Sequence, residues 1–260
     1  MKDFKIISSK DNSLIKLVSA LQSSSKARKE NGLFVLEGLR ICDDACENGI
    51  KFDKLIFSDT AFEKSLAKIE EFQLNSKESY KITDSLFKKI SDTASPQGIL
   101  AVCSMSTLNA PEIDKNGKYI GLENLSDPSN LGAISRTAEA LGANGIVITA
   151  DSCDPYSPKV LRASMGTLLR IPLFITEDII KFAKDNKLKT YACVVNSDAE
   201  KITDIKFPDG SIVLIGNEAN GLKDKTIQNS DFKITIPMKG QAESLNAAVA
   251  ASIAIWELVR

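Results

Sequence analysis

The 260-residue chain contains no histidine, only five cysteines and few aromatic residues, 6% in all. Without imidazole there can be no Ser-His or Cys-His nucleophile pair, no His-ligated metal centre and no imidazole acid or base working near neutral pH. Cys42, Cys46, Cys103, Cys153 and Cys193 contain no C-x-x-C pair. That argues against a thiolate metal site or a redox dithiol and suits reduced thiols in a cytoplasmic protein. Cys42 and Cys46 lie one helical turn apart, but with no second pair they read as buried thiols. Hydrophobic runs are short, none reaching the ~20 apolar residues that span a bilayer, and the start MKDFKIISSK lacks a signal-peptide core. The expectation is a cytoplasmic chain with no metal and no membrane partner.

What is present begins with length, which allows one large domain or two smaller ones, each with its own core. The overall charge is balanced, 33 Lys+Arg against 34 Asp+Glu, but residues 1–29 carry Lys2, Lys5, Lys10, Lys16, Lys26, Arg28 and Lys29 against only Asp3 and Asp11. Such an excess fits a solvated helix face or a nucleic-acid contact equally well. Leu14, Ile15, Leu17, Val18 and Leu21 recur at helical spacing after Asn12, predicting an amphipathic helix over 13–29. Strands are expected at 33–36, 54–58 and 99–104, with a helix at 37–48, making a small α/β unit over 1–105. The Pro- and Gly-containing stretch 106–117 reads as a linker. Beyond it, strands at 119–122, 145–149, 190–195, 211–215 and 232–236 alternate with helices near 130–142, 177–185, 221–228 and 244–258. That alternation predicts a mostly parallel sheet with helices on its faces over 118–260.

Three of these strands run into polar or glycine-bearing segments: GLENLSDPSNLGAISR at 121–136, GNEANG at 216–221 and PMKGQAESLN at 237–246. In an open α/β sheet, ligands lie at the carboxyl ends of strands, so these segments are the candidate site. They contain neither G-x-G-x-x-G at a first strand-to-helix turn nor G-x-x-x-x-G-K-[ST], which argues against NAD or ATP as the main ligand. Asn130, Arg136, Glu218, Ser244 and Asn246 form the polar set. Asn and Ser at helix starts bind anions or hydroxyls, and Arg pairs with phosphate through a bidentate fork. Helix capping alone explains Ser244 equally well, and is a weaker explanation for Asn130, Arg136 and Glu218 together.

DPSNLGAISRTAEALGA at 127–143, IGNEANGL at 215–222 and IPMKGQAESLNAAVAASIA at 236–254 resemble, in order, the three signatures of the SpoU, or TrmH-type, RNA ribose 2′-O-methyltransferases. PYSPKVLRASMGTLLRIPL at 155–173 is also similar to that family. The N-terminal part, through 12–21, Arg28, FVLEGLR at 34–40 and SPQGILAV at 95–102, resembles the family's substrate-binding extension, whose fold is like that of ribosomal protein L30e.

The resemblance implies an α/β chain with a deep trefoil knot of the SPOUT superfamily in its second domain. It implies S-adenosylmethionine (AdoMet) as cofactor, held largely by backbone groups at Gly216, Ile236, Met238, Leu245 and Asn246. Catalysis would fall to Arg136, Asn130, Glu218, Ser244 and Asn246, and RNA contact to Lys26, Arg28, Lys29, Arg40 and Arg162. Arginine is effectively always protonated, so a milder role than general base is to clamp phosphate and stabilise the developing alkoxide. Glu218 would then hold a cation such as Arg136, from its own chain or from the other subunit. A homodimer through the C-terminal domain is implied as well, and the largely apolar segment 247–259 suits either an interface or the core alone. The substrate expected from the large extension is 23S ribosomal RNA. Methylation of transfer RNA, or a non-catalytic RNA-binding or ribosome-assembly role on the same fold, are the competing readings.

Overall fold

The computed structural model describes residues 3–108 and 112–260. Contacts divide the chain into two compact units, Met1–Asn109 with Tyr156–Leu169, and Ala110–Pro155 with Arg170–Arg260. The first unit is thus built from two separate stretches. The expected partition at 105 and 118 had put 156–169 in the second domain.

Within the first unit the elements are β1 (Lys5–Ile7), α1 (Ser13–Ser23), α2 (Ser25–Asn31), β2 (Leu33–Glu37), α3 (Leu39–Glu47), β3 (Phe52–Ser58), α4 (Asp59–Lys64), α5 (Leu66–Leu74), β4 (Ser76–Ile82), α6 (Asp84–Ile90) and β5 (Ile99–Ser104). The sheet order is β1-β4-β3-β5-β2, with β5 antiparallel to both its neighbours. Strand alternation sends Phe34, Leu36, Ile99, Ala101 and Cys103 to one face and Val35, Leu100 and Val102 to the other, and both faces are buried. That explains the unbroken apolar run of β5. The second face is covered by Leu14, Ile15, Val18 and Leu21 of α1 and by Leu86, Phe87 and Ile90 of α6. The first is covered by α3, α5 and, from the returning stretch, Leu161 and Leu169, with the Tyr156 ring centroid 5.5 Å from that of Phe34 at a tilt of 35°.

The expected single helix over 13–29 is two helices. Ser24 sits in extended backbone and its hydroxyl accepts from Ala27 N at 3.2 Å, so it caps a new helix instead of continuing the old one. β1, β4 and the helices α4, α5 and α6 were not foreseen. β4 reads SKESYKI, and its charges are neutralised laterally: Glu78 accepts from Lys5 at 2.7 Å and Lys54 at 2.8 Å. Lys2, part of the basic N-terminal stretch, and residues 109–111 of the expected linker lie outside the described residues.

The remaining elements are β6 (Lys118–Leu122), α7 (Pro128–Leu141), β7 (Gly145–Thr149), α8 (Pro158–Ser164), β8 (Leu173–Thr176), α9 (Ile179–Asp185), β9 (Lys189–Cys193), β10 (Glu200–Lys201), β11 (Ser211–Ile215), α10 (Asp224–Asn229), β12 (Phe232–Thr235) and α11 (Ala247–Val259). All but α8, which belongs to the returning stretch, build the second unit. Its seven strands are ordered β10-β12-β9-β11-β6-β7-β8, and all their pairings are parallel. The α/β expectation holds, with three elements unforeseen: α8, β8 and the two-residue β10. Central strands β6, β7 and β11 are buried on both faces, as YIGL, GIVIT and SIVLI suggest. Among the described residues no helix is long and apolar enough to cross a membrane.

Candidate active site

The register aligns Leu122 of β6 with Ile215 of β11, and Leu214 of β11 with Ala192 of β9. The carboxyl ends of β6, β11, β9 and β12 therefore come out together. A cavity of about 380 Å³ opens there, walled by the ends of β9 and β12, the 216–222 loop and the start of α11.

The 216–222 loop is a tight device. Asn217 and Gly221 exchange two backbone hydrogen bonds of 3.0 and 2.9 Å, and the Asn217 Oδ1 accepts from the amides of Ala219 (2.9 Å) and Asn220 (3.2 Å). The loop folds back so closely that a Cβ on Gly216 would lie 2.0 Å from the Gly221 carbonyl carbon. Only glycine fits.

On α7, Asp127 caps the Ser129 amide at 2.8 Å and Pro128 occupies the first turn, which brings Asn130 into that turn. The Asn130 Nδ2 donates to Glu218 Oε1 at 2.8 Å, and its Oδ1 accepts from Asn246 Nδ2 at 3.1 Å. Glu218 also accepts from the amides of Ser126 (3.2 Å) and Asp127 (3.1 Å). Burial alone would push the Glu218 carboxyl up, but the bonds from Asn130 and these amides hold it below its ordinary value. The Asn217 Nδ2 donates to Asn124 O at 2.8 Å and Ser126 Oγ at 2.9 Å. The two loops are thus laced together.

Of the expected cofactor residues, Gly216, Ile236, Met238 and Leu245 all line the cavity, as do Glu218 and Ser244. Asn246 does not line it. Its Oδ1 accepts from Ala248 N (2.8 Å) and Val249 N (3.3 Å), capping α11, while its Nδ2 reaches Asn130. Arg136 is exposed on α7, and no described residue bonds it. The expected Arg136–Glu218 pairing does not occur within the chain, because the Glu218 oxygens are taken up by Asn130 and backbone amides. Burial pushes the Cys193 thiol, on the cavity wall, up to about 11, and burial with the nearby Glu218, Asp127 and Asp154 carboxylates pushes Cys153 up to about 12.

Among the expected RNA-facing residues, Lys26, Lys29, Arg40 and Arg162 are exposed, Lys26 within 3.7 Å of Glu30 and Arg162 paired with Asp92 at 2.7 Å. Arg28 is a correction. It is only 4% exposed, and its guanidinium donates to the carbonyls of Leu21 and Gln22, closing the end of α1. Sequence reasoning also missed Glu123, a buried carboxylate just beyond β6 that accepts from Lys223 N and Thr226 Oγ1. The available signal was a lone acid directly after the apolar run YIGL.

The cavity's chemistry fits AdoMet. Val194, Leu222, Ile227, Ile236, Met238 and Leu245 offer an apolar slot for a flat base, and the Glu218 carboxylate suits a cation. Among the described residues no group of three or more acids or thiols is placed to hold a metal ion.

The SpoU rRNA Methylase family model matches residues 117–256, and the MRM3-like substrate binding domain model matches residues 12–101. Over 263 aligned residues the chain is 32% identical to the uncharacterized tRNA/rRNA methyltransferase slr1673 of Synechocystis sp., covering 99% of this chain and 94% of that one. It is 27% identical over 239 residues to the 23S rRNA (guanosine(2553)-2'-O)-methyltransferase RlmP of Bacillus subtilis, covering 90% and 92%. The AdoMet-bound rRNA methyltransferase from Sinorhizobium meliloti superposes with a TM-score of 0.85 at 28% identity, covering 98% and 97%. The open parallel sheet with a ligand cavity at its strand ends is therefore that of a methyltransferase. The chain belongs to the SpoU rRNA methylase family.

Proposed function

We propose that this protein transfers a methyl group from AdoMet to a ribose 2′-hydroxyl of structured RNA, with 23S ribosomal RNA as the substrate. One observation carries the reading: a cavity suited to the cofactor lies beside a connected chain of polar groups, Glu218–Asn130–Asn246, at one end of a parallel sheet. The matched substrate-binding domain over 12–101 and the similarity to a 23S enzyme support ribosomal RNA over transfer RNA.

Bound AdoMet supplies a methyl carbon made electrophilic by a sulfonium. The chain's own task is to orient the 2′-oxygen for in-line attack and to stabilise the charge that develops on it. Arg136, whose side chain is exposed and bonded to no described residue, is the group to clamp a neighbouring phosphate and offset the alkoxide charge. The 2′-proton then passes to phosphate or water. Asn130, fixed by bonds on both sides of its amide, orients the reacting ribose, and Glu218 and Ser244 border the cofactor.

The same reading includes the trefoil knot, a cytoplasmic setting and a homodimer through the second unit. Val249 and Trp256, seven residues apart on α11, are 49% and 55% exposed and share one helix face, which supports a second copy as what covers them. Lys26, Lys29, Arg40 and Arg162 are the proposed RNA contacts.

The test is a map of 2′-O-methyl positions in total RNA from cells with and without the protein. One ribosomal position should lose its methyl group when the protein is absent. Loss confined to transfer RNA overturns the substrate, and no loss anywhere overturns the activity.

A further inference from the structure

The Glu123 carboxylate is buried at the end of a central strand, in no contact with the cavity, and both its oxygens are engaged. Its Oε2 accepts from the backbone amide of Lys223 at 2.8 Å, and its Oε1 accepts from the Thr226 hydroxyl at 2.6 Å. Its own amide donates to Ile215 O at 2.9 Å, so it is locked to β11 at the point where the 216–222 loop departs. The two residues it grips are the direct chain neighbours of Leu222 and Ile227, both of which wall the cavity. The helix carrying them is only six residues long, and its N-cap, Lys223, makes no side-chain capping bond. Glu123 does from the neighbouring strand what a cap would do from within, placing an acceptor and a negative charge at that helix start.

The geometry points to Glu123 as a positioning residue for the cofactor, one that fixes the Leu222–Ile227 wall of the AdoMet cavity without touching the ligand. This rests on the function proposed above. The loop's other end leaves β11 directly after Ile215, so the wall is fixed only if the α10 end is fixed too. Two further polar ties, Lys223 Nζ to Asp151 at 2.9 Å and Lys225 Nζ to Asp178 at 3.2 Å, join exposed side chains and are worth little. A buried carboxylate satisfied by two donors is a far stiffer anchor.

The experiment compares the wild type with Glu123→Gln and Thr226→Val. The first is isosteric and removes the charge: its amide oxygen can keep the Lys223 N–H, but its NH2 then faces Thr226 Oγ1, which must turn from donor to acceptor, so a short charge-assisted bond becomes at best a neutral one. The second removes the hydroxyl at nearly constant volume. Calorimetry should give an AdoMet dissociation constant about tenfold weaker for each variant, the scale of one lost buried bond. The double variant should be little worse than either single one, because both break the same grip. In steady-state kinetics the KM for AdoMet should rise while that for RNA stays put, a split that general loosening of the fold would not give. Should Glu123→Gln not fold, Thr226→Val carries the test alone. Binding within twofold of wild type in the folded variants overturns the positioning role and leaves the proposed function standing. A wild type that binds no AdoMet overturns that function, and this inference with it.

Discussion

Asn246 donates from its Nδ2 to the Oδ1 of Asn130 across 3.1 Å, tying the first turn of α11 to the first turn of α7. Because the Asn130 Nδ2 is engaged by Glu218 at the same time, its amide has one usable orientation. Asn130→Ala should lower kcat/KM by about a hundredfold, in the range of losing one oriented polar group at a reacting centre. AdoMet binding should survive. Single-turnover methylation of an RNA fragment, beside calorimetry with AdoMet, checks both halves.

The same substitution changes acid behaviour. The Glu218 carboxyl is held below 4.5, so its contribution to stability is complete above that pH and is lost as pH falls through the depressed value. Without the Asn130 bond the value returns toward the ordinary carboxylate one, so the contribution is smaller and its loss is complete at a higher pH. Acid unfolding followed by circular dichroism should show the variant's transition moved toward neutrality; coincident transitions would refute the assignment.

Gly216→Ala drives a methyl group into the Gly221 backbone, which is not a flexible neighbour. The loop must open, at a cost of about 1–3 kcal/mol in stability. Affinity for AdoMet should fall at least tenfold. Urea unfolding and calorimetry report the two effects separately.

Arg28→Ala should destabilise the protein by about 2 kcal/mol, because two backbone carbonyls lose a buried charged donor. RNA affinity at a temperature where the variant is folded should change less than twofold. Lys29→Ala and Arg40→Ala should do the reverse, weakening RNA binding in a salt-dependent way while leaving the unfolding curve in place. Filter binding across a salt series separates the two behaviours.

All five thiols are raised above their ordinary value, with burial the leading cause at each. Iodoacetamide at pH 7.5 should label the native protein slowly and the denatured protein quickly. Rapid native labelling at Cys193 would mean that the cavity wall is more open than described.

The second unit was the more legible from its residues. Runs such as GIVIT and SIVLI are long enough to be buried strands, and Asp127, Pro128 and Gly142 punctuate α7 at both ends. The first unit hid β4 because its charges are cancelled by Lys5 and Lys54, one from a distant strand, and no local window contains both partners. The Ser24 break was hidden by the apolar stripe of α1, which says where a helix faces and not where it ends. At the site, strand ends marked the segments around Gly216, Ile236, Met238 and Leu245, and the resemblance to the family signatures picked out the four residues. Glu123 could not, since a buried acid is recognised only by the donors that close on it. Arg28 was misread for the same reason: a cation in a basic stretch looks solvated until the carbonyls around it are known.

Because Tyr156, Leu161 and Leu169 complete the first sheet's covered face, boundaries drawn along the sequence do not coincide with those drawn in space. A piece ending near residue 105 would leave Phe34 and its neighbours uncovered, and a piece beginning near 118 would carry those three side chains with nothing to bury them. The backbone passes between the units three times, so no single cut yields two self-sufficient halves. The two units are one folding commitment, and exchanging the first for another would mean exchanging the fourteen residues Tyr156–Leu169 as well.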